Sequence, residues 1–336
     1  MSINFRAPRG VLLLGAAALA ATAVACGASS PAKPAEAPKA AATTAATATA
    51  TATATPKTGY AVPERVATTE WLAGKTSDPN VISFDLRKKD AYDAGHIPGA
   101  VWISTADFNL AKAGVTDLAP AAQIASVLGK AGVKPETTIV LYDDQGSLWS
   151  TRILWSLDVY GHKDSRVLNG SWTTWQAEKR AVTKDVPTRP ATQYAFTAKP
   201  NEAIVVSMDQ LVKAVGDPSK IVCDSRTADE YTGRDLRAPA KIGGHVPGAK
   251  NVAYSEAVDK GGAFLPVADL KKLYDTAGVK AADNQTIFTY CQSGIRAAHA
   301  WYVLKYLIGY PNVAVYDGSW EEWGARTDTK IETTRG

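Results

Sequence analysis

Apolar and polar positions divide the chain into three unequal stretches. Residues 11–25 read VLLLGAAALAATAVA, residues 27–59 are mostly Ala, Thr, Pro and Lys without apolar periodicity, and from about Tyr60 short β-branched runs alternate with helical patterns. A β-branched run followed by a helical pattern, repeated, argues for α/β units around a parallel sheet. Ala297, Ala300, Trp301, Leu304, Leu307 and Ile308 recur at the i, i+3, i+4, i+7 spacing of one helix face. A helix there puts Cys291 at the carboxyl end of the strand "TIFTY" and residues 292–296 in the turn that leads into the helix.

The pattern from Tyr60 onward occurs twice. "VISFDLRKKDAYDAGHIPGAVWI" and "IVCDSRTADEYTGRDLRAPAKIGGHVPGAKNV" share an apolar strand, Asp-x-Arg, a tyrosine and a Gly-His-x-Pro-Gly-Ala turn, the second with an insertion before the turn. "TIVLYDDQGSLWSTRILWSLDVYGH" answers "TIFTYCQSGIRAAHAWYVLKYLIGY". Tyr142 and Tyr290, Gly161 and Gly309, and Gly170 and Gly318 are each 148 residues apart. Two homologous domains are expected, at 60–185 and 204–336 with a linker at 186–203, each a parallel sheet flanked by helices. The 336-residue length agrees with about two domains of roughly 150 residues each.

Composition adds exclusions. The chain is 46% hydrophobic and 21% charged, with a net charge of +4. Acids and bases are mixed along it, and no basic cluster is interleaved with aromatics, so nucleic acid is not an expected partner. Arg6 and Arg9 before the apolar run, and the small residues that end it, make 1–25 a secretory signal peptide. "AVAC", ending at Cys26, resembles the lipobox of bacterial lipoproteins, with Ala23 where that motif prefers leucine. The resemblance implies lipidation of Cys26 and a chain exported and anchored to the bacterial cell membrane, facing periplasm or exterior. Residues 26–59 cannot bury enough surface to offset ordering entropy. They are expected to be a disordered tether, with a reach on the order of 30 Å as a flexible coil.

The chemistry centres on Cys291, one of three cysteines. Only the thiolate is a useful nucleophile, and a helix N-terminus or a nearby cation favours it. Backbone N–H groups of 292–296 can curl around the sulfur as an anion nest, with Gly294 free to take the angles required. The helix dipole adds to this, and Arg296 brings a permanent charge.

Asp224-Ser225-Arg226, Gly244 to Ala249, Cys291 to Arg296 and Asp317-Gly318-Ser319-Trp320 carry a resemblance to the rhodanese family over nearly all of residues 60–330. The chain resembles a tandem-domain sulfurtransferase of the thiosulfate or 3-mercaptopyruvate type. The resemblance implies a catalytic second domain that passes sulfane sulfur through a persulfide on Cys291 to cyanide or a thiol. The first domain has Asp143 where the second has Cys291 and Leu148 where it has Arg296, so it is expected to be inactive and to form one wall of the cleft.

Gln292, Ser293, Gly294, Ile295 and Arg296 are expected to bind substrate, with Arg226, Arg234 and Arg237 nearby and Asp224 structural. Neutral Gln292 and Ser293 depart from the basic residues of thiosulfate enzymes. Glu230 stands where mercaptopyruvate enzymes place a carboxylate-gripping arginine. No cofactor or metal is expected, and the chain is expected to be monomeric.

Two rival readings are a cysteine-dependent phosphatase or arsenate reductase and a non-catalytic sulfur-binding module. The first needs five residues between cysteine and arginine, and here there are four, Gln292 to Ile295. An intact loop argues against the second. His96 and His245 occur in both copies and read as turn residues, Trp172, Trp175, Trp320 and Trp323 as packing, and Cys223 as core.

Overall fold

Val81–Asp85 is buried at every position and Thr286–Tyr290 at all but the first, as strands covered on both faces are. The computed structural model describes residues 59–112 and 115–333. The expected signal peptide, the lipidation site Cys26 and all of the tether but Gly59 lie outside the described residues.

The strands are β1 (Val66–Ala67), β2 (Val81–Asp85), β3 (Val101–Trp102), β4 (Asn109–Lys112), β5 (Val115–Leu118), β6 (Thr138–Tyr142), β7 (Ser165–Leu168), β8 (Val205–Val206), β9 (Lys220–Asp224), β10 (Lys250–Asn251), β11 (Thr286–Tyr290) and β12 (Val313–Tyr316). The helices are α1 (Thr69–Ala73), α2 (Lys89–Ala94), α3 (Ala121–Lys130), α4 (Leu148–Tyr160), α5 (Ser171–Ala177), α6 (Met208–Ala214), α7 (Ala228–Thr232), α8 (Val267–Thr276), α9 (Ile295–Tyr302) and α10 (Ser319–Trp323).

Two five-stranded sheets result, β1-β7-β6-β2-β3 and β8-β12-β11-β9-β10, with the same order and parallel pairing throughout. The fold is therefore two parallel-sheet α/β domains, as the repeat requires.

The Asp-x-Arg motif has the same task in each. Arg87 binds Asp85 and the Gly95 carbonyl, with its guanidinium 3.8 Å from the Trp172 ring. Arg226 binds Asp224 and the Gly244 carbonyl and sits 4.3 Å from Trp320. Tyr142 and Tyr290 donate to these buried aspartates at 2.6 and 2.5 Å. Each histidine of the repeated turn stacks on the preceding tyrosine at 3.7 Å, His96 on Tyr92 and His245 on Tyr231.

The second domain's long helix departs from the expectation of one apolar face. Every residue from Ala297 to Tyr302 is buried, and the helix widens into a π segment, Val303–Ile308, before Gly309 ends it at φ +99°. The reason is that α9 is enclosed, with its own sheet on one side and α4 of the first domain on the other. Across this interface Tyr306 donates to Asp158 at 2.6 Å and Tyr302 to the Arg65 carbonyl at 2.9 Å.

Two hairpins complete the contact. The antiparallel β4–β5 hairpin of the first domain reaches α10 of the second, where the Thr116 amide donates to Glu321 at 2.8 Å. The counterpart around Val258 and Phe264 reaches back, the Phe264 amide donating to Asn169 at 2.9 Å.

Candidate active site

Cys291 follows β11 directly and has no accessible surface. Its backbone is fixed from the β12–α10 turn. Ser319 Oγ accepts the N–H groups of Cys291 at 3.1 Å and Gly294 at 3.0 Å and donates to the Tyr316 carbonyl at 2.9 Å. The Cys291 carbonyl accepts from the Trp320 amide at 2.9 Å. Ser319 lies at φ +52°, a left-handed conformation unusual for a side-chain-bearing residue. Ser171 in the first domain lies at φ +54°, and its Oγ accepts the Asp143 amide at 2.7 Å as Ser319 accepts that of Cys291, but donates to the Asp143 carbonyl at 2.7 Å.

Gly294 takes φ +80° at the turn into α9, where a side chain would be strained and would meet Asp317 Oδ1 at 2.2 Å. Its N–H belongs to Ser319, so it is not a nest donor, contrary to the sequence expectation for 292–296.

The first domain shows what the loop can hold. The fully buried Asp143 carboxylate accepts from the amides of Gln145 (2.8 Å), Ser147 (3.0 Å), Trp149 (3.0 Å) and Ser150 (2.9 Å), and from the Ser150 hydroxyl (2.8 Å). Burial pushes its carboxyl up, and these donors offset only part of that. At the 148-residue spacing the amide donors correspond to Ser293, Ile295, Ala297 and Ala298. The amides of Ile295 and Ala297 lie in the first turn of α9, where no intrahelical acceptor exists.

Arg296 forms a two-pronged ion pair with Glu230, at 2.6 and 2.8 Å. Burial alone would push the Glu230 carboxyl up. The Arg296 hydrogen bonds and charge, with help from Thr227, outweigh it and hold the group down at about 2. Glu230 also closes the capping box of α7 with Thr227. The fixed charge assigned to Arg296 from sequence is therefore locally compensated.

The other expected residues separate. Arg226 is committed to Asp224. Arg234 is a surface residue paired with Asp229 at 2.6 Å. Arg237 pairs with Asp235 at 3.0 Å and lies 3.5 Å from Glu230, half exposed at the edge of the same network. The structure thus joins Arg237 to the loop through Glu230 and gives Arg226 and Arg234 other partners. Gln292 donates to the Ala238 carbonyl at 3.3 Å, and its Oε1 is buried without a hydrogen-bond partner.

Sequence reasoning did not identify Ser319 or Asp317 as parts of the loop's support, nor Arg152, the buried partner of Asp317 from the first domain. The signal for Ser319 was present, because Gly-Ser-Trp closes both copies. Nothing local marked Arg152. Both described cysteines, Cys223 and Cys291, are free thiols, and burial pushes the Cys223 thiol up. Among the described residues no group of three or more His, Cys, Asp or Glu side chains could hold a metal ion.

Comparison with known proteins agrees with this geometry. The family described as "Rhodanese-like domain" matches residues 68–178 and 207–326. The chain is 35% identical over 282 residues to the thiosulfate sulfurtransferase of Corynebacterium glutamicum, covering 82% of this chain and 92% of that protein. It is 35% identical over 277 residues to the sulfur carrier protein TtuD of Thermus thermophilus, covering 79% and 95%. Among solved structures, the anaerobic ergothioneine biosynthesis enzyme of Chlorobium limicola superposes with a TM-score of 0.72 at 23% identity, covering 80% of this chain and 70% of that one, a likeness of fold.

Proposed function

The chain belongs to the rhodanese family and is a sulfurtransferase, and from that premise we propose that Cys291 carries the sulfur. The Cys291 thiolate attacks the outer sulfur of thiosulfate or the thiol sulfur of mercaptopyruvate, the donor's S–S or C–S bond to that sulfur breaks, and its electron pair leaves with sulfite or the pyruvate enolate. The outer sulfur of the resulting persulfide is then taken by cyanide or a thiolate, and Cys291 leaves as thiolate. The observation that carries the reading is Asp143. In the copy without a cysteine, the equivalent loop binds an internal anion with four backbone amides and the Ser150 hydroxyl, so a backbone of this shape suits negative charge at this position.

Relatives named for thiosulfate make it the first donor to assay. The loop's charge favours another. Gln292 and Ser293 are neutral and Arg296 is compensated by Glu230, so a dianion finds little net positive charge, whereas a monoanionic thiol such as mercaptopyruvate loses less. Because Cys291 is fully buried, either donor reaches it only through local opening of its surroundings. The signal peptide and the lipobox resemblance at Cys26 support an exported, membrane-anchored enzyme.

Kinetics of Cys291→Ser test the assignment. The change removes the nucleophile in a nearly isosteric way. Transfer should vanish with either donor, while the fold is kept, with a stability change on the order of 1 kcal/mol. Turnover at the wild-type rate in a folded Cys291→Ser protein would overturn it.

A further inference from the structure

The sulfur-carrying loop is braced from the first domain. Arg152, in α4, has no exposed side-chain surface, and its two terminal nitrogens both engage Asp317 of the second domain, Nη2 at 3.2 Å from Oδ2. Its Nε donates to Asn109 at 3.0 Å, at the root of the β4–β5 hairpin, and its guanidinium lies 4.7 Å from the Trp155 ring.

Asp317 stands two residues before Ser319, whose hydroxyl takes the Cys291 and Gly294 amides. The pair also abuts the loop itself. A Cβ added to Gly294 would lie 2.2 Å from Asp317 Oδ1 and 3.1 Å from Arg152 Nη1, so the turn residue rests directly on the ion pair.

The two-fold repeat supplies the control. At the 148-residue spacing Ala300 answers Arg152 and Asn169 answers Asp317. On the reciprocal side of the interface, where the loop carries Asp143 instead of cysteine, neither charge is present and Asn169 accepts the Phe264 amide. Packing two homologous domains does not by itself require the pair. It occurs on the side that has the nucleophile.

We infer that Arg152, contributed by the domain without a cysteine, is a positioning residue for sulfur transfer: through Asp317 it fixes Gly294 and the Ser319-bound backbone so that the loop amides converge on Cys291. The first domain is then a working part of the second domain's active site as well as a wall beside it. This rests on Cys291 being the sulfur carrier.

A positioning role acts on the chemical step, since displacing reacting groups by about 1 Å can cost on the order of a hundredfold in rate. The test uses the intact chain with mercaptopyruvate or thiosulfate, measuring kcat, KM and melting temperature for wild type, Arg152→Gln and the double variant Arg152→Gln/Asp317→Asn. The double variant leaves no buried charge without its partner and matches the reciprocal side at Asn169.

The expected result is a folded double variant with kcat reduced about tenfold or more and KM within about twofold of wild type, which still loads sulfur on Cys291. Wild-type kcat in the folded double variant would overturn the inference. So would its failure to fold, because a pair whose complete removal unfolds the chain is structural. Wild type that acquires no sulfur on Cys291 would instead overturn the functional reading beneath it.

Discussion

At positions 143 and 291 a carboxylate and a thiol follow equivalent strands, β6 and β11, and meet equivalent turns. The carboxylate collects five hydrogen-bond donors within its own loop. On the proposed reading, the thiol uses its loop's donors once it has lost a proton and taken up sulfur. At this scale the proposed donor preference turns on Gln292, which stands next to Cys291 and brings no charge. Gln292→Arg should raise kcat/KM for thiosulfate relative to mercaptopyruvate several-fold, the worth of one screened charge contact of about 1 kcal/mol. Steady-state kinetics with both donors check this, and an unchanged ratio would show that loop charge does not select the donor. The place of Cys291 after its strand and the turn into α9 were legible because a cysteine after a β-branched run, then a glycine and an arginine before a helix, signal that geometry locally. The state of Arg296 was not. Its partner Glu230 lies 66 residues away in sequence, and a pairing over that distance leaves no periodic trace.

Among elements, α7 links the inserted segment to the loop through Glu230, which caps its own helix and neutralises Arg296. Glu230→Gln keeps a capping-box side chain but removes the charge. The folded-state carboxyl lies at about 2, below its ordinary 4.5. Its contribution to stability is therefore full above pH 4.5 and is lost as pH falls toward 2. Wild type should be the more stable protein at pH 6, and the gap in melting temperature from Glu230→Gln should close between pH 4.5 and 2. A gap independent of pH would contradict the pairing. The same variant frees the Arg296 charge and should improve thiosulfate use several-fold. The strands, the repeat and the start of α9 could be read from hydrophobic spacing. The burial of α9 on all sides could not, since its outer cover is α4, an element whose docking depends on the whole fold. For the same reason nothing local in the sequence marks Arg152, whose partner Asp317 lies 165 residues away.

For the whole molecule, the repeat gives two loops of one architecture and one cysteine. The copy without the cysteine has the same sheet order, Asp-x-Arg pair and tryptophan packing. It also places a buried arginine against the other copy's loop. The proposed export belongs to this scale too. Cys26→Ala should release the protein from membranes into the soluble fraction, as fractionation and blotting would show, and persistent membrane association after signal removal would point to another anchor. The central claim, that sulfur travels on Cys291, is tested most directly by mass spectrometry of the intact chain after incubation with thiosulfate or mercaptopyruvate, with peptide mapping before and after cyanide. The account predicts one added sulfur atom, located on the peptide containing Cys291 and removed by cyanide. No added sulfur with either donor, or sulfur found on Cys26 or Cys223 with Cys291 unmodified, would contradict it.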